Sequence, residues 1–297
     1  MQITPTTPDL GAEIRGVDLR KAGTAEIAEI QQAFAKHSVL FIRDQDLTLD
    51  DQLAITRKFG SVLRVPYVQG VASHPDVIAV LKEASEKKIS TFGGTWHSDF
   101  SFLAEPPAAT LLYSVELPPV GGDTIWSSQY LAYEALSDGM KALLDPLRAV
   151  HPGWPHGTMG PNPDVPVSKS IQMVRNDPTA DREVLHPVVR VHPVTGKKAL
   201  FVNPVYTQRF EGMSPAESKP ILDYLHQHST LAEFCCRLRW SPGTLTMWDN
   251  RCLMHLAIND YDGHRRLLYR TTTAGEAPSG VAQQAAPALR SAARVGG

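Results

Sequence analysis

A mainly β domain with flanking helices, a sandwich or jelly roll, is the fold class that this sequence predicts, and three observations predict it. Past Thr110 the chain is a succession of short apolar stretches (TLLYSVEL, DTIWSS, HPVVRVHP, ALFVN, FCCRLRW, TLTMWDN, RLLYRTTTAG) divided by Pro and Gly turns, the pattern of many short strands. Helical periodicity is confined to a few punctuated segments. With 297 residues, 42% hydrophobic and 20% charged, the chain can bury one large core, and all-β folds of this length commonly form one unit.

The elements follow in order. GAEIRGVDL is strand-like, a helix is expected from about Thr24 to His37, and the apolar SVLFIR after it reads as a buried strand. In LTLDDQLAITRKFG, Thr48 and Asp51 form a helix-opening capping box and Gly60 fits the helix stop. Lys82 to Thr95 (KEASEKKISTFGGT) is polar, glycine-containing and aperiodic between VIAVL and WHSD, which predicts a mobile loop and a lid. Two helices interrupt the β region: SQYLAYEALSDGMKALL, and ESKPILDYLHQHS opened by the pair Ser214 and Glu217. One domain over residues 1–275 is expected, with 276–297, rich in Ala, Gly and Ser, as a disordered tail.

Lys plus Arg (29) nearly balance Asp plus Glu (31), for a net charge of -2. The basic footprint of phosphate binding is missing, so nucleic acid is not an expected partner. Cys235, Cys236 and Cys252 are odd in number and two are adjacent, which offers neither a disulfide framework nor a zinc pattern. The first thirty residues lack a signal's basic start and apolar stretch, and no apolar run approaches membrane-spanning length. A soluble, cytoplasmic protein without a membrane partner is expected, as a homo-oligomer (dimer or tetramer).

The first chemical signal is His97-Ser98-Asp99. On a strand, His-x-Asp places an imidazole and a carboxylate on one face, two of the three ligands of the two-His, one-carboxylate triad of non-haem Fe(II) oxygenases. With 11 His and 18 Asp in 297 residues, about one such pair arises by chance, and a match this short is a hypothesis only. The chain has two, the rival being His74-Pro75-Asp76. A surface turn or a cap is the blander reading of each.

The wider context separates them. GGTWHSDFSFLAEPPAATLLYSVELPPVGGDTIWSS resembles the iron-binding region of the taurine dioxygenase and 2,4-dichlorophenoxyacetate dioxygenase (TauD/TfdA) family, as do TMWDNRCLMH and HRRLLYRTTTAG. LHPVVRVHPVTGKKALFVN is similar to the family's mid-domain strands and LGAEIRGVDLR to its N-terminus, so the resemblance runs from about Leu10 to Gly275. It implies a double-stranded β-helix (jelly roll), and an enzyme that uses Fe(II), 2-oxoglutarate and O2, with His97, Asp99 and His255 as metal ligands and catalytic centre. His74 and Asp76 are then loop residues, and His151, His186 and His192, in His-Pro contexts, are structural.

The far carboxylate of 2-oxoglutarate needs a cation of its own, and arginine binds carboxylates bidentately. The resemblance assigns this task to Arg266, eleven residues after His255, together with Thr124 of GGDT. Arg270, four residues on and on the same strand face, is matched in the family as a contact to the substrate's acidic group. Arg64, Tyr67, Phe100 and Tyr206 are further candidate substrate contacts, against the blander readings of a solvated arginine and of core aromatics. Where taurine-specific relatives place an asparagine, four residues before the first His, stands Gly93, which leaves room for a bulkier substrate.

EGMSPAESKPILDYLHQH and NPVYTQR are similar to aryloxyalkanoate dioxygenases of the dichlorprop-cleaving kind. The expected reaction is therefore hydroxylation of an anionic aryloxyalkanoate with collapse of the product at its ether bond, alkyl sulfate esters or sulfonates being the alternative. A non-catalytic, cupin-like binding protein is the reading from a different class, and Arg266 speaks for the enzyme. A Zn hydrolase gives that arginine no role, and a halogenase would lack Asp99.

Overall fold

The computed structural model describes residues 1–89, 91–158 and 170–281. The chain opens with β1 (Gln2–Pro5), β2 (Ala12–Arg15), α1 (Thr24–His37), β3 (Val39–Ile42), α2 (Leu49–Arg57) and β4 (Ile78–Lys82). There follow β5 (Ala109–Glu116), β6 (Thr124–Ser128), α3 (Gln129–Glu134), α4 (Asp138–Leu144), β7 (Arg148–His151), β8 (Val184–Pro187), β9 (Val189–Val191) and β10 (Lys198–Leu200). The last elements are β11 (Arg209–Phe210), α5 (Pro215–His228), β12 (Cys235–Leu238), β13 (Leu245–Asp249), β14 (Leu253–Ala257) and β15 (Arg266–Thr272).

A seven-stranded sheet in the order β1-β2-β3-β13-β5-β15-β4 faces a three-stranded sheet in the order β12-β6-β14. Period-two alternation divides the major sheet's side chains between two cores. Val39 and Phe41 of β3, Leu112 of β5 and Leu268 of β15 meet Trp126, Leu238 and Leu253 of the minor sheet. On the opposite face Leu40, Ile42, Leu111 and Leu245 receive Ile27, Ile30 and Ile55 of the helices. A third cluster packs α3, α4 and α5 on β9, β10 and β11. Strands that carry apolar residues on both faces read as continuous runs such as SVLFIR.

Several expected elements form where their punctuation placed them. Helix α1 spans Thr24–His37, and α2 opens on the Thr48–Asp51 capping box with Asp51 N–H donating to Thr48 Oγ1. Helix α5 follows the corresponding Ser214–Glu217 box. Two expectations differ. SQYLAYEALSDGMKALL is two short helices, because Ser137 caps a fresh N-terminus by accepting the Met140 N–H. Helix α2 ends at Arg57, before Gly60, whose lack of a side chain serves close packing on Thr273: a Cβ there would lie 3.2 Å from that residue's own.

The loop after β4 is fastened along its first half. Buried Lys82 donates to Asn259 and Asp262 at 2.7 Å, Lys88 N–H donates to Asp262, and Asn259 donates to the Ile89 carbonyl. Residues 276–281, assigned to the tail by composition, are docked. Glu276 pairs with Arg190 and Arg251, and Val281 packs on the third core. The remainder of that tail, 282–297, lies outside the described residues. Among the described residues no helix is long and apolar enough to cross a membrane.

Candidate active site

The site lies between the two sheets. His255 is central on β14, His97 and Asp99 come from the segment that follows the loop, and Arg266 and Arg270 project from one face of β15. His97-Ser98-Asp99 is not on a strand, as expected, but forms an isolated antiparallel bridge with β14 that runs into a turn. His97 and His255 exchange both backbone hydrogen bonds, at 3.1 and 2.8 Å, and their rings lie 4.1 Å apart. Ser98 donates to the Leu253 carbonyl, and Phe100 turns the chain with φ 47°. A bridge followed by a left-handed residue thus achieves what a strand would have done.

Asp99 Oδ1 lies 3.5 Å from His97 Nε2 and 3.8 Å from His255 Nε2, and one ligand atom from each residue lies within 4.8 Å of the others. His97 donates its Nδ1–H to the Thr95 carbonyl at 2.7 Å, which fixes the tautomer and aims the Nε2 lone pair into the cluster. Burial opposes the charge of Asp99, yet Arg270, His255 and His97 outweigh it and hold the carboxyl well below its usual range. Burial, then the neighbouring His97, push His255 well below an ordinary imidazole, so it is neutral, as a metal ligand must be.

Sequence reasoning missed the support behind Asp99. Trp248 Nε1 donates to Asn250, Asn250 Nδ2 donates to Thr110, and Thr110 donates to Asp99 Oδ2 at 2.7 Å. Arg270 Nη2 holds the same oxygen at 3.0 Å. One carboxylate oxygen is therefore fixed while the other faces the imidazoles. Asn250 lies in the quoted TMWDNR, but its partner Thr110 is 140 positions away and no sequence spacing links them.

A cavity beside the triad is lined by Thr124, Trp248, His255, Arg266 and Arg270. Arg266 is 5% exposed, lies over the rings of Trp240 and Tyr261 at 5.7 and 5.8 Å, and has no partner for Nε or Nη2 among the described residues. Burial lowers its pKa, with Tyr261 and Asp123 opposing. Thr124 accepts from Trp240 Nε1 at 3.0 Å, which leaves its own O–H to donate. Unmet guanidinium donors beside a free hydroxyl suit a carboxylate, so the cavity fits the far end of 2-oxoglutarate.

A second, larger pocket opens on His97 and Asp99, between Phe100, Trp154, Tyr206, Ile171, Met173 and Arg175. Of the residues expected at the substrate, Phe100 and Tyr206 line it. Arg270 does not: its Nη2 lies on Asp99 and Thr110, its Nε has no partner among the described residues, and it borders the co-substrate cavity instead. Arg64 is exposed and lines neither space. Tyr67 borders a separate hollow with Phe102 and Thr179, its hydroxyl 2.9 Å from that of Thr179.

Neither the rival His74 nor His192 belongs to this site. His74 rests against the exposed Asp50, and neither it nor Asp76 joins a cluster of possible metal ligands among the described residues. His192, Asp249 and Cys252 converge, but His192 uses both ring nitrogens, on Asp249 and on the amides of Val194 and Thr195. Arg251 takes both oxygens of Asp249. That trio is a structural knot.

Comparison with known proteins agrees with this geometry. Residues 2–272 match the model of the taurine catabolism dioxygenase TauD, TfdA family. The chain is 34% identical to an alpha-ketoglutarate-dependent sulfate ester dioxygenase of Pseudomonas putida, over 95% of this chain and 92% of that one. It is 33% identical to the alpha-ketoglutarate-dependent 2,4-dichlorophenoxyacetate dioxygenase of Cupriavidus pinatubonensis, covering 92% and 97%. A solved taurine dioxygenase from Burkholderia xenovorans superposes with TM-score 0.78 at 34% identity, covering 95% and 93%.

The chain belongs to the TauD/TfdA family, and its two facing sheets are the family's jelly roll. It is a 2-oxoglutarate-dependent dioxygenase that uses Fe(II) and O2, and the non-catalytic alternative is set aside.

Proposed function

We propose that His97 Nε2, Asp99 Oδ1 and His255 Nε2 hold the iron, that Arg266 and Thr124 seat the far carboxylate of 2-oxoglutarate, and that the substrate is an anionic aryloxyalkanoate. One observation carries the substrate reading: the pocket beside His97 and Asp99 is walled by Phe100, Trp154 and Tyr206, with Gly93 at its edge. Gly93 has φ 76°, and a Cβ there would lie 3.3 Å from His97 Cε1. The glycine therefore keeps open the space in which a planar ring can lie. Burying one ring on such walls favours binding by roughly 1.5 to 3 kcal/mol.

When bound, Fe(II) supplies O2 activation coupled to oxidative decarboxylation of 2-oxoglutarate to succinate and CO2. The chain's own part is positional. Thr110 and Arg270 hold Asp99 Oδ2, Thr95 orients His97, and the aromatic walls exclude water and present the C–H bond beside the substrate's ether oxygen. Hydroxylation at that carbon gives a hemiketal or hemiacetal, which collapses to a phenol and a carbonyl compound. The three free thiols support a cytoplasmic setting.

A second reading, an alkyl sulfate ester, is favoured by the relative from Pseudomonas putida and by the apolar Ile171 and Met173 in the same wall. The chemistry is shared, because hydroxylation beside an ester oxygen also breaks the C–O bond. Succinate formation with 2-phenoxypropionate, hexyl sulfate and taurine at equal concentration separates the readings. A clear preference for hexyl sulfate or for taurine would refute the aryloxyalkanoate assignment.

A further inference from the structure

Arg175 lines the larger pocket, and nothing so far gives it a task. The segment Ile171 to Asn176 is extended: Met173 bridges Val68 antiparallel, Gln69 N–H donates to the Gln172 carbonyl, and Val174 N–H donates to the Tyr67 carbonyl. Burial alternates along it. Ile171, Met173 and Arg175 turn inward, while Gln172, Val174 and Asn176 are exposed. Period two thus puts an arginine on the same wall as two apolar residues, in a pocket that His97 and Asp99 also line.

The guanidinium is nearly uncommitted. Among the described residues its one hydrogen bond is a long 3.4 Å contact to the Pro155 carbonyl, and no carboxylate pairs with it. The three arginines expected at the site do not line this pocket: Arg270 holds Asp99 through Nη2 and borders the co-substrate cavity with Arg266, and Arg64 is at the surface. His156, also in the wall, lies stacked between Tyr67 and Phe100 and donates Nδ1–H to the Val174 carbonyl. Burial and the neighbouring Arg175 keep it neutral, so it adds no second cation.

We propose that Arg175 is a specificity-determining residue that receives the anionic group of the substrate, while Ile171, Met173, Trp154 and Phe100 take its apolar body. The ligand class is an amphiphilic monoanion, a carboxylate or sulfate joined to a ring or short chain, matched by the planar fork of the guanidinium. This rests on the reading of an anionic substrate given above, but not on which anion it is.

The test is calorimetric binding to the enzyme loaded with Mn(II) and N-oxalylglycine, using 2-phenoxypropionate, hexyl sulfate and neutral 2-phenoxypropionamide as probes. Arg175→Gln should weaken the better-bound anion about 10- to 100-fold, the worth of a hydrogen bond to a charged group, and leave the amide unchanged. Arg175→Lys should recover part of the loss. N-oxalylglycine affinity, unchanged in both variants, reports an intact fold and co-substrate cavity.

Equal weakening of anion and amide, no weakening of either, or a wild type that binds neither anion would overturn the proposal. If hexyl sulfate binds and 2-phenoxypropionate does not, the aryloxyalkanoate reading fails. Arg175 keeps its role in that case only if Arg175→Gln weakens hexyl sulfate.

Discussion

Replacing Arg266 by Met should move stability and co-substrate affinity in opposite directions. In the free protein the side chain is 5% exposed with Nε and Nη2 unmatched among the described residues, and an unsatisfied buried polar group costs about 1 to 3 kcal/mol. Losing its placement over Trp240 and Tyr261 gives back about 0.5 to 2 kcal/mol. The balance runs from about 1 kcal/mol less stable to about 2.5 kcal/mol more stable, so the apoprotein should on balance lose nothing or gain stability. A buried carboxylate left without its charged partner, by contrast, loses about 2 to 5 kcal/mol of binding, roughly 30- to several-thousand-fold. Thermal melting with Mn(II), with and without 2-oxoglutarate, reads both. At a co-substrate concentration of about 100 times the wild-type Kd the wild type gains about 2.7 kcal/mol, and the variant should gain less than about 1 kcal/mol. A variant that melts lower alone yet keeps the full co-substrate shift would refute the reasoning and return Arg266 to a packing role.

Further outcomes follow from the same geometry. Asp99→Ala and His255→Ala should each abolish iron loading and turnover, because two ligands hold the metal too weakly, whereas His74→Ala should keep both; metal content after dialysis and succinate yield decide, and a loaded, active Asp99→Ala would sink the triad. Gly93→Ala should lower turnover about tenfold or more by strain at φ 76° and by crowding His97, with 2-oxoglutarate affinity as the control; undiminished turnover would remove Gly93 from the pocket argument. Buried His186 is pushed down to about 4, by burial above all, although it donates to the Leu103 carbonyl. Its unfolded value is near 6.5, so the unfolded chain binds the extra proton first and stability falls as pH drops from about 6.5 to 4, by up to about 3 kcal/mol from this group. His186→Gln should flatten that stretch of the denaturation midpoint plotted against pH, and an unaltered slope would exclude His186 as its source.

Legibility in the sequence followed the range of the physics. Capping boxes act over three residues, so the starts of α2 and α5 could be read directly from Thr48–Asp51 and Ser214–Glu217. The split between α3 and α4 was missed because Ser137 can sit inside a helix or cap a new one, and only tertiary packing decides. The three residues of the candidate metal centre were legible through the family's motifs, while their supports were not. Thr110 and Arg270 meet on Asp99, with Asn250 behind Thr110, from segments that no local spacing links. Arg270 was expected at the substrate from the family's motif, and spacing adds only that it shares a strand face with Arg266. That its head turns to Asp99 depends on where the turn at Phe100 delivers the carboxylate. Arg175 carried a local signal, the apolar-polar alternation of IQMVR, but a stretch that short needs the pocket behind it to acquire meaning.

The charges around the site show why metal and co-substrate belong together. The free protein buries two cations, Arg266 and Arg270, of which only Arg270 is paired with a carboxylate among the described residues, Asp99, while Asp123 acts on Arg266 without pairing with it. Arg270 and Asp99 neutralise each other at 3.0 Å, so the remaining positive charge is that of Arg266, in surroundings where burial already disfavours it. A divalent metal at the triad enlarges the excess, and a monoanion could answer only one of the two centres. Under the roles proposed above, a dianion with carboxylates at its two ends would answer both, one at the triad and one at Arg266. On the proposed reading, Arg266 would be the feature that selects a dicarboxylate co-substrate, and its unmet Nε and Nη2 donors in the free protein would be the stability given up for that choice.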